Sequence, residues 1–277
     1  MLIQDKIKIS AVLNIHNEEK QLEDCLKSLN FVDEIIIVLD KCTDKSKNIA
    51  QKYTKKIFEG SWHIEGDRRN LAIGHASNEW IFEIDADERV PKALAEEIIK
   101  TVHINHADWY PISVDNYIGG KLVKYGWGAY FGRSAYPGLF KKNCKVWGKQ
   151  RVHPQINLSG KKGAPLKNSI IHFIDNDISG LIKKLDSYSS ARAKDILENS
   201  DGGSFFKNIT RIFSRFWKCF ILRKGYKEGK YGFIIALFAG LYPILSYLKA
   251  FLDEIKKKNS LLRGIMSRRM FGSSSLG

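Results

Sequence analysis

WIFEIDADERVP, residues 80–91, runs a hydrophobic segment straight into Asp85, Asp87 and Glu88. WIFEI has the length and apolar continuity of a strand covered on both faces. Carboxylates gathered at its end repel one another unless something positive sits between them. They form either a solvated acidic turn or a cation site.

Working outward, the first hundred residues alternate strand and helix. KISAVLNI (8–15) is β-rich. Asn17 is expected to cap a helix carrying Glu18 and Glu19 in its first turn and burying Leu22, Cys25, Leu26 and Leu29. EIIIVL (34–39) is a second buried strand, followed by the loop DKCTDKS and a helix through Ile49 and Tyr53. Residues 56–58 read as a short strand, 67–76 as a helix, 80–84 as a strand, and 92–102 as a helix with Pro91 in its first turn. This β-α-β-α-β order predicts an α/β fold of the doubly wound, Rossmann-like kind. Ligands of such sheets sit outside the carboxyl ends of the strands. Residues 14–17, 40–44 and 85–87 all fall there, so three polar clusters are expected on one rim. Residues 105–175 are glycine- and aromatic-rich, with short β-like pieces (DWYPISV, KLVKYGW, SIIHF) that complete a mixed sheet flanked by helices. Residues 181–197 read as a helix, and NSDGG (199–203) breaks the chain.

The net charge of +15 is unevenly placed. Residues 205–277 hold fifteen Lys and Arg against three acids, leaving +3 for residues 1–204. Phe205, Phe206, Ile209, Ile212, Phe213, Phe216, Trp217, Phe220 and Ile221 recur at helical spacing, with Lys207, Arg211, Arg215 and Lys218 opposite. That composition is of a basic amphipathic helix lying in a membrane interface. YGFIIALFAGLYPILSYL (231–248) is uncharged over 18 residues, short for crossing a bilayer. Its Pro243 and glycines favour an interfacial hairpin over a single pass. The four cysteines lack CxxC spacing, so neither a zinc site nor a disulfide framework is expected. The N-terminal apolar run is short and broken by Asn14, unlike a signal peptide. The chain is therefore expected on the cytoplasmic face of the plasma membrane, peripheral or monotopic. The division expected is 1–200 catalytic (1–104 and 105–200 as its two halves) and 205–277 membrane-associating.

An Asp-x-Asp at a strand end suits Mg²⁺ or Mn²⁺ shared with a diphosphate, because such ions take one or two carboxylates and fill the remaining shell with phosphate oxygens and water. HNEEKQLEDCLKSL (16–29), DEIIIVLDKCTDKS (33–46), GDRRNLA (66–72) and DADE (85–88), in this order, resemble the family 2 glycosyltransferases with a GT-A fold. RKGYKEGKYGFIIALFAGLY (223–242) resembles their lipopolysaccharide-core and surface-glycan members. The resemblance implies an inverting hexosyltransferase that uses a nucleotide-diphospho-sugar, most simply UDP-linked, and a divalent cation, with a lipid-linked or cell-surface glycan as acceptor. It implies that Asn14, His16 and Glu18 lie at the nucleotide, that Asp40 recognises the uracil or ribose, and that Arg68 and Asn70 pack over the nucleotide. Asp85 would meet ribose and metal, and Asp87 would be the main metal ligand. Leu39 stands where many members carry a first aspartate. A VHE-like carboxylate is missing from RVHPQ (151–155), which leaves His153 or Asp115 as the general base. His172, in IIHF, is read as a further ligand or as a core histidine. Two other readings remain: a nucleic-acid-binding basic protein, and a catalytically inactive membrane adaptor. The first is disfavoured because the basic residues accompany an apolar face, not a stacking platform.

Overall fold

A computed structural model describes residues 7–128, 132–150, 154–175 and 177–271, with side chains through residue 256. The parallel half of its main sheet uses β1 (Ile9–Ile15), β2 (Glu34–Asp40), β3 (Ile57–Gly60) and β4 (Trp80–Glu83). They lie in the order β3-β2-β1-β4, as right-handed β-α-β crossovers require. The intervening helices are α1 (Leu22–Lys27), α2 (Ser46–Ala50) and α3 (Glu65–His75). β1, β2 and β4 are buried almost throughout, which is why they read as unbroken apolar runs.

After β4 the chain makes a two-residue strand β5 (Glu88–Arg89) and helix α4 (Lys92–Ile104). It then enters β6 (Trp109–Ile118), β7 (Lys121–Val123), β8 (Ala135–Lys141), β9 (Lys145–Trp147), β10 (Ile156–Leu158) and β11 (Ser169–Asp175). β8 is antiparallel to both β4 and β6, and β11 runs parallel to β6, so the sheet is mixed. β5 folds across to pair with β11, with His172 opposite Glu88. This pairing brings the acidic segment after β4 against a strand more than eighty residues later. One face of the sheet packs its core on α1 and α4, with Leu22, Leu26, Leu94 and Ile98 buried. The other packs on α3 and on Trp147 of β9.

Helices α5 (Ile178–Asn199), α6 (Phe205–Trp217) and α7 (Lys230–Phe271) follow. A π turn at Lys218–Leu222 and a 3₁₀ turn at Gly225–Glu228 join the last two. Two expectations are corrected here. Residues 231–248 do not form a hairpin: α7 runs continuously through Pro243 and buries Ile235, Phe238 and Tyr242 against Leu181 and Leu185 of α5. Tertiary packing thus overrides the breaker, whose cost can be absorbed inside a packed bundle. α6 lies against α7 so closely that a Cβ on Gly240 would stand 2.8 Å from the Ile212 carbonyl. Secondly, Asn17 is no helix cap. It adopts a left-handed backbone (φ 56°), and its Oδ1 accepts from the Thr43 amide at 2.8 Å, while the helix begins at Leu22. A short amide side chain that tolerates positive φ suits that loop-to-loop tie.

Candidate active site

The carboxyl ends of β1, β2 and β4 open into a cavity of about 480 Å³. Its lining includes Asn14, His16, Glu18, Asp40, Arg68, Asp85 and Asp87, seven residues singled out from the sequence. They arrive together because parallel strands place their carboxyl ends on one rim.

On the β1–β2 side, the Asp40 carboxylate takes a 2.8 Å ion pair from Arg68 and a 3.0 Å hydrogen bond from the Trp62 amide. His16 Nδ1 lies 2.6 Å from the Asp40 carbonyl. Both polar atoms of the Asn14 side chain, and Arg68 Nε, are buried without a hydrogen-bond partner among the described residues. Buried polar groups are rarely left so, and each such group calls for an explanation. Asn70 is set apart from this group: its side chain donates to the Trp147 carbonyl and accepts from the Trp147 amide, both at 2.9 Å. It clamps α3 to β9.

The acidic stretch after β4 is held by protein cations, and its members divide the work. Glu83 is buried and pairs with Lys145 (2.6 Å) and Arg69 (2.7 Å). Asp85 lies between Arg69 at 3.1 Å and Arg133 at 3.2 Å. Burial alone would raise its carboxyl, but the two guanidiniums outweigh that and hold it far below the usual range. Glu88 is fully buried, receives Arg133 at 2.9 Å and accepts from the Asp85 amide at 3.1 Å, so it braces the turn. Burial raises its carboxyl above the ordinary value. Asp87 faces His172, with Nε2 at 3.2 Å from its Oδ2. Burial would raise Asp87 as well, but the imidazole outweighs it and the carboxyl stays low. His172 is correspondingly raised despite its burial, with Asp87 the main cause.

Among the described residues no group of three or more His, Cys, Asp or Glu forms a ready metal cage. The donor chemistry nevertheless fits. Asn116 Nδ2 donates to the Arg133 carbonyl, which turns its Oδ1 toward His172 Nδ1 at 2.8 Å. With Nδ1–H held there, loss of the Nε2 proton that faces Asp87 would make Nε2 the lone-pair nitrogen, the arrangement usual in metal-binding histidines. That nitrogen and the Asp87 carboxylate then face the same space. Five carboxylates (Glu65, Glu83, Asp85, Asp87, Glu88) meet Arg69, Arg133 and Lys145, with His172 and Lys184 on the cavity wall near Asp87.

α5 closes the cavity with Lys184, Ser187 and Tyr188. Lys184 Nζ also donates to the Ile174 carbonyl. Glu18 faces this wall, and burial followed by the field of Asp87 raises its carboxyl to about 7. Arg133, Lys184 and Tyr188 carry no sequence signal of their own; only the pairing of distant strands and helices brings them here.

The two candidate bases are placed differently. Strand residues alternate between faces, and Asn116, the neighbour of Asp115, is the one turned toward His172; Asp115 falls on the opposite face of β6 and is not among the described residues lining the cavity. His153 lies outside the described residues, although its neighbour Pro154 lines the cavity.

The family model for glycosyl transferase family 2 matches residues 10–187. The chain belongs to that family. It is a glycosyltransferase, and the mixed sheet described above is the GT-A architecture expected of a family 2 member. The lipopolysaccharide core biosynthesis glycosyltransferase LpsC of Rhizobium meliloti is 26% identical over 259 residues, covering 89% of this chain and 93% of its own. An uncharacterised glycosyltransferase of Rickettsia felis is 24% identical over 273 residues, covering 92% and 94%. Among solved structures, residues 1–349 of TarS from S. aureus in complex with UDP-GlcNAc are 14% identical, covering 91% of this chain and 92% of that one, with a TM-score of 0.48.

Proposed function

We propose that this glycosyltransferase is metal-dependent and inverting, and moves a hexose from a UDP-sugar to a glycan acceptor at a membrane surface. The observation that carries the reading is the single cavity where an unpartnered Asn14 amide and the Asp40–Arg68 pair stand on one side and Asp85, Asp87 and His172 on the other. The first group offers hydrogen bonds to a nucleoside, the second oxygen and nitrogen ligands beside a diphosphate. Asp87 and His172 would hold Mg²⁺ or Mn²⁺, which would neutralise the charge that develops on the departing diphosphate. Arg69 and Arg133 keep Asp85 ionised and fixed, and Arg68 adds a cation within reach of phosphate.

In the transfer, an acceptor hydroxyl attacks the anomeric carbon from the face opposite the leaving group. A C–O bond forms to the acceptor and the anomeric C–O bond to the β-phosphate breaks, its electron pair leaving with UDP. The hydroxyl proton passes to a base, for which His153 remains the candidate, since imidazole titrates near neutral pH. The LpsC relative, named for lipopolysaccharide core biosynthesis, supports an envelope glycan as the acceptor class. A donor screen measuring free nucleotide release, with Mn²⁺, with Mg²⁺ and with chelator, tests this. Release from a UDP-sugar only with metal is expected, and metal-independent release or none from any donor would refute it.

The membrane part rests on α6. Phe206, Phe213 and Trp217 are 78%, 71% and 57% exposed and fall on one stripe of the helix. Lys207 and Lys218 are exposed beside them. Aromatic rings flanked by lysine suit the interface of an anionic bilayer. Within α7, Lys230–Lys256 is long and apolar enough to cross a membrane, but half of its apolar window is buried inside the molecule. We read it as the core of the helical unit on which α6 is mounted.

A further inference from the structure

A second cavity, of about 400 Å³, adjoins the first and shares Gly132 and Arg133 with it. Its walls are built by the turn after β7 and by residues 132–135 leading into β8, with Arg223 reaching in from the segment between α6 and α7. Glu228, buried, accepts from the amides of Lys124 and Tyr125 at 2.8 and 3.1 Å. The Gly126 amide donates to the Arg223 carbonyl at 2.9 Å, and Arg223 Nη1 donates to the Trp127 carbonyl at 2.5 Å. Gly126 has φ +85°, and a Cβ there would stand 2.8 Å from the Gly225 Cα, so only glycine allows this approach. The segment from Lys218 to Glu228 therefore holds Arg223 in the cavity as well as linking to the tail.

The chemistry of the lining is one-sided. Lys124 and Arg223 contribute cationic side chains, Arg133 a guanidinium already paired with Asp85 and Glu88, and among the described lining residues there is no carboxylate. Glu228, the acid beneath the loop, is turned to the backbone amides. Tyr125 is 39% exposed, and Lys227 Nζ stands 5.4 Å from the centre of its ring. An exposed ring beside clustered cations is suited to a pyranose that carries a negative charge: the ring face packs on the sugar, and guanidinium and ammonium groups take the anion.

We propose that this cavity is the acceptor subsite, and that it takes a glycan through its phosphate or carboxylate group, held by Lys124 and Arg223 against Tyr125. The word acceptor rests on the glycosyltransferase reading above, while the preference for an anionic sugar stands on the cavity alone. Arg133 then links the two chambers: its guanidinium grips Asp85 and Glu88 on the donor side, and it lines the wall that faces the acceptor.

The test is calorimetric titration of the full chain, saturated with UDP and Mg²⁺, with glucose 6-phosphate, glucuronate and glucose. The two charged sugars are expected to bind and glucose not to. Lys124→Gln and, separately, Arg223→Gln should each weaken the charged sugars about tenfold, the loss of one charge-assisted contact, with UDP affinity unchanged. Lys124 is exposed, so its variant guards against a folding defect in the other. Equal binding of glucose, or unaltered affinity in Lys124→Gln, would overturn the proposal. Displacement of glucose 6-phosphate by phosphatidylglycerol vesicles would assign the cavity to a lipid headgroup and overturn it too. Failure of UDP to bind would refute the donor reading instead, with the contrast between charged and neutral sugars still readable.

Discussion

Asp85 and Asp87 are two residues apart and meet different neighbours, which decides what each can do. Two guanidiniums already neutralise Asp85, so a metal ion would have to compete with them; Asp87 has its ion pair with an imidazole that can give way, and Lys184 acts on it from farther off. Asp87→Asn is therefore expected to cut donor turnover roughly a hundredfold or more, with an unchanged fold by circular dichroism. Glu18 gives a pH signature. Its carboxyl is raised from 4.5 to about 7 in the folded chain, so between those values the folded state holds a proton that the unfolded state has lost. Stability must then fall as pH rises through that window. Glu18→Gln should show a higher Tm than the parent at pH 8 and no such gain at pH 4, measured by scanning calorimetry without metal. Arg69 carries more structural weight than its place in GDRRNLA implies. It joins Glu65, Glu83 and Asp85, and Arg69→Met would leave Glu83 to Lys145 alone and Asp85 to Arg133 alone in a buried network. A loss of about 3–5 kcal/mol in urea unfolding is expected.

Among the elements, α3 and β9 show why part of the site could be read in advance and part could not. Arg68, Arg69 and Asn70 are consecutive, and the helix sends them to three places: the Asp40 side of the cavity, the buried acid network, and the β9 backbone. A motif names a segment, whereas helical rotation assigns the tasks. Asn70→Ala is expected to cost about 1–3 kcal/mol of stability through two lost bonds to Trp147, while UDP affinity stays within about twofold once folded protein is compared. The strands β1, β2 and β4 were readable because a doubly covered strand is apolar along most of its length. The rim followed from them, because parallel strands end together. His172 and Arg133 were not separable from ordinary residues, since what positions them is the β5–β11 pairing and the mixed half of the sheet. The same limit explains Asp115, whose face depends on strand alternation within a segment read only as β-like pieces. Asn17 misled because a residue that caps helices also favours positive φ in loops.

Taken as a whole molecule, the chain separates its charge from its chemistry. The acid-rich network sits at the sheet rim, and the basic excess lies on α6, the turns after it and the end of α7. α7 corrects the hairpin expectation for a physical reason: eighteen uncharged residues look alike whether lipid or protein covers them, and here α5 and α6 cover half. The aromatic stripe of α6 stays uncovered, as do Phe233, Phe251 and Leu252 of α7. Phe206→Ser, Phe213→Ser and Trp217→Ser combined should reduce binding to phosphatidylglycerol vesicles about a hundredfold, and donor turnover should be unaffected; preferential binding of the parent to RNA over such vesicles would contradict the membrane role. The most direct measurement of all concerns the rim. UDP binding to the parent and to Asp87→Asn should be followed by calorimetry with Mg²⁺, with Mn²⁺ and with chelator. Tight binding of the parent only with metal, and weak, metal-insensitive binding of Asp87→Asn, is the expected result. Equal metal dependence in both proteins would contradict the assignment of Asp87 as the ligand that brings metal and diphosphate together.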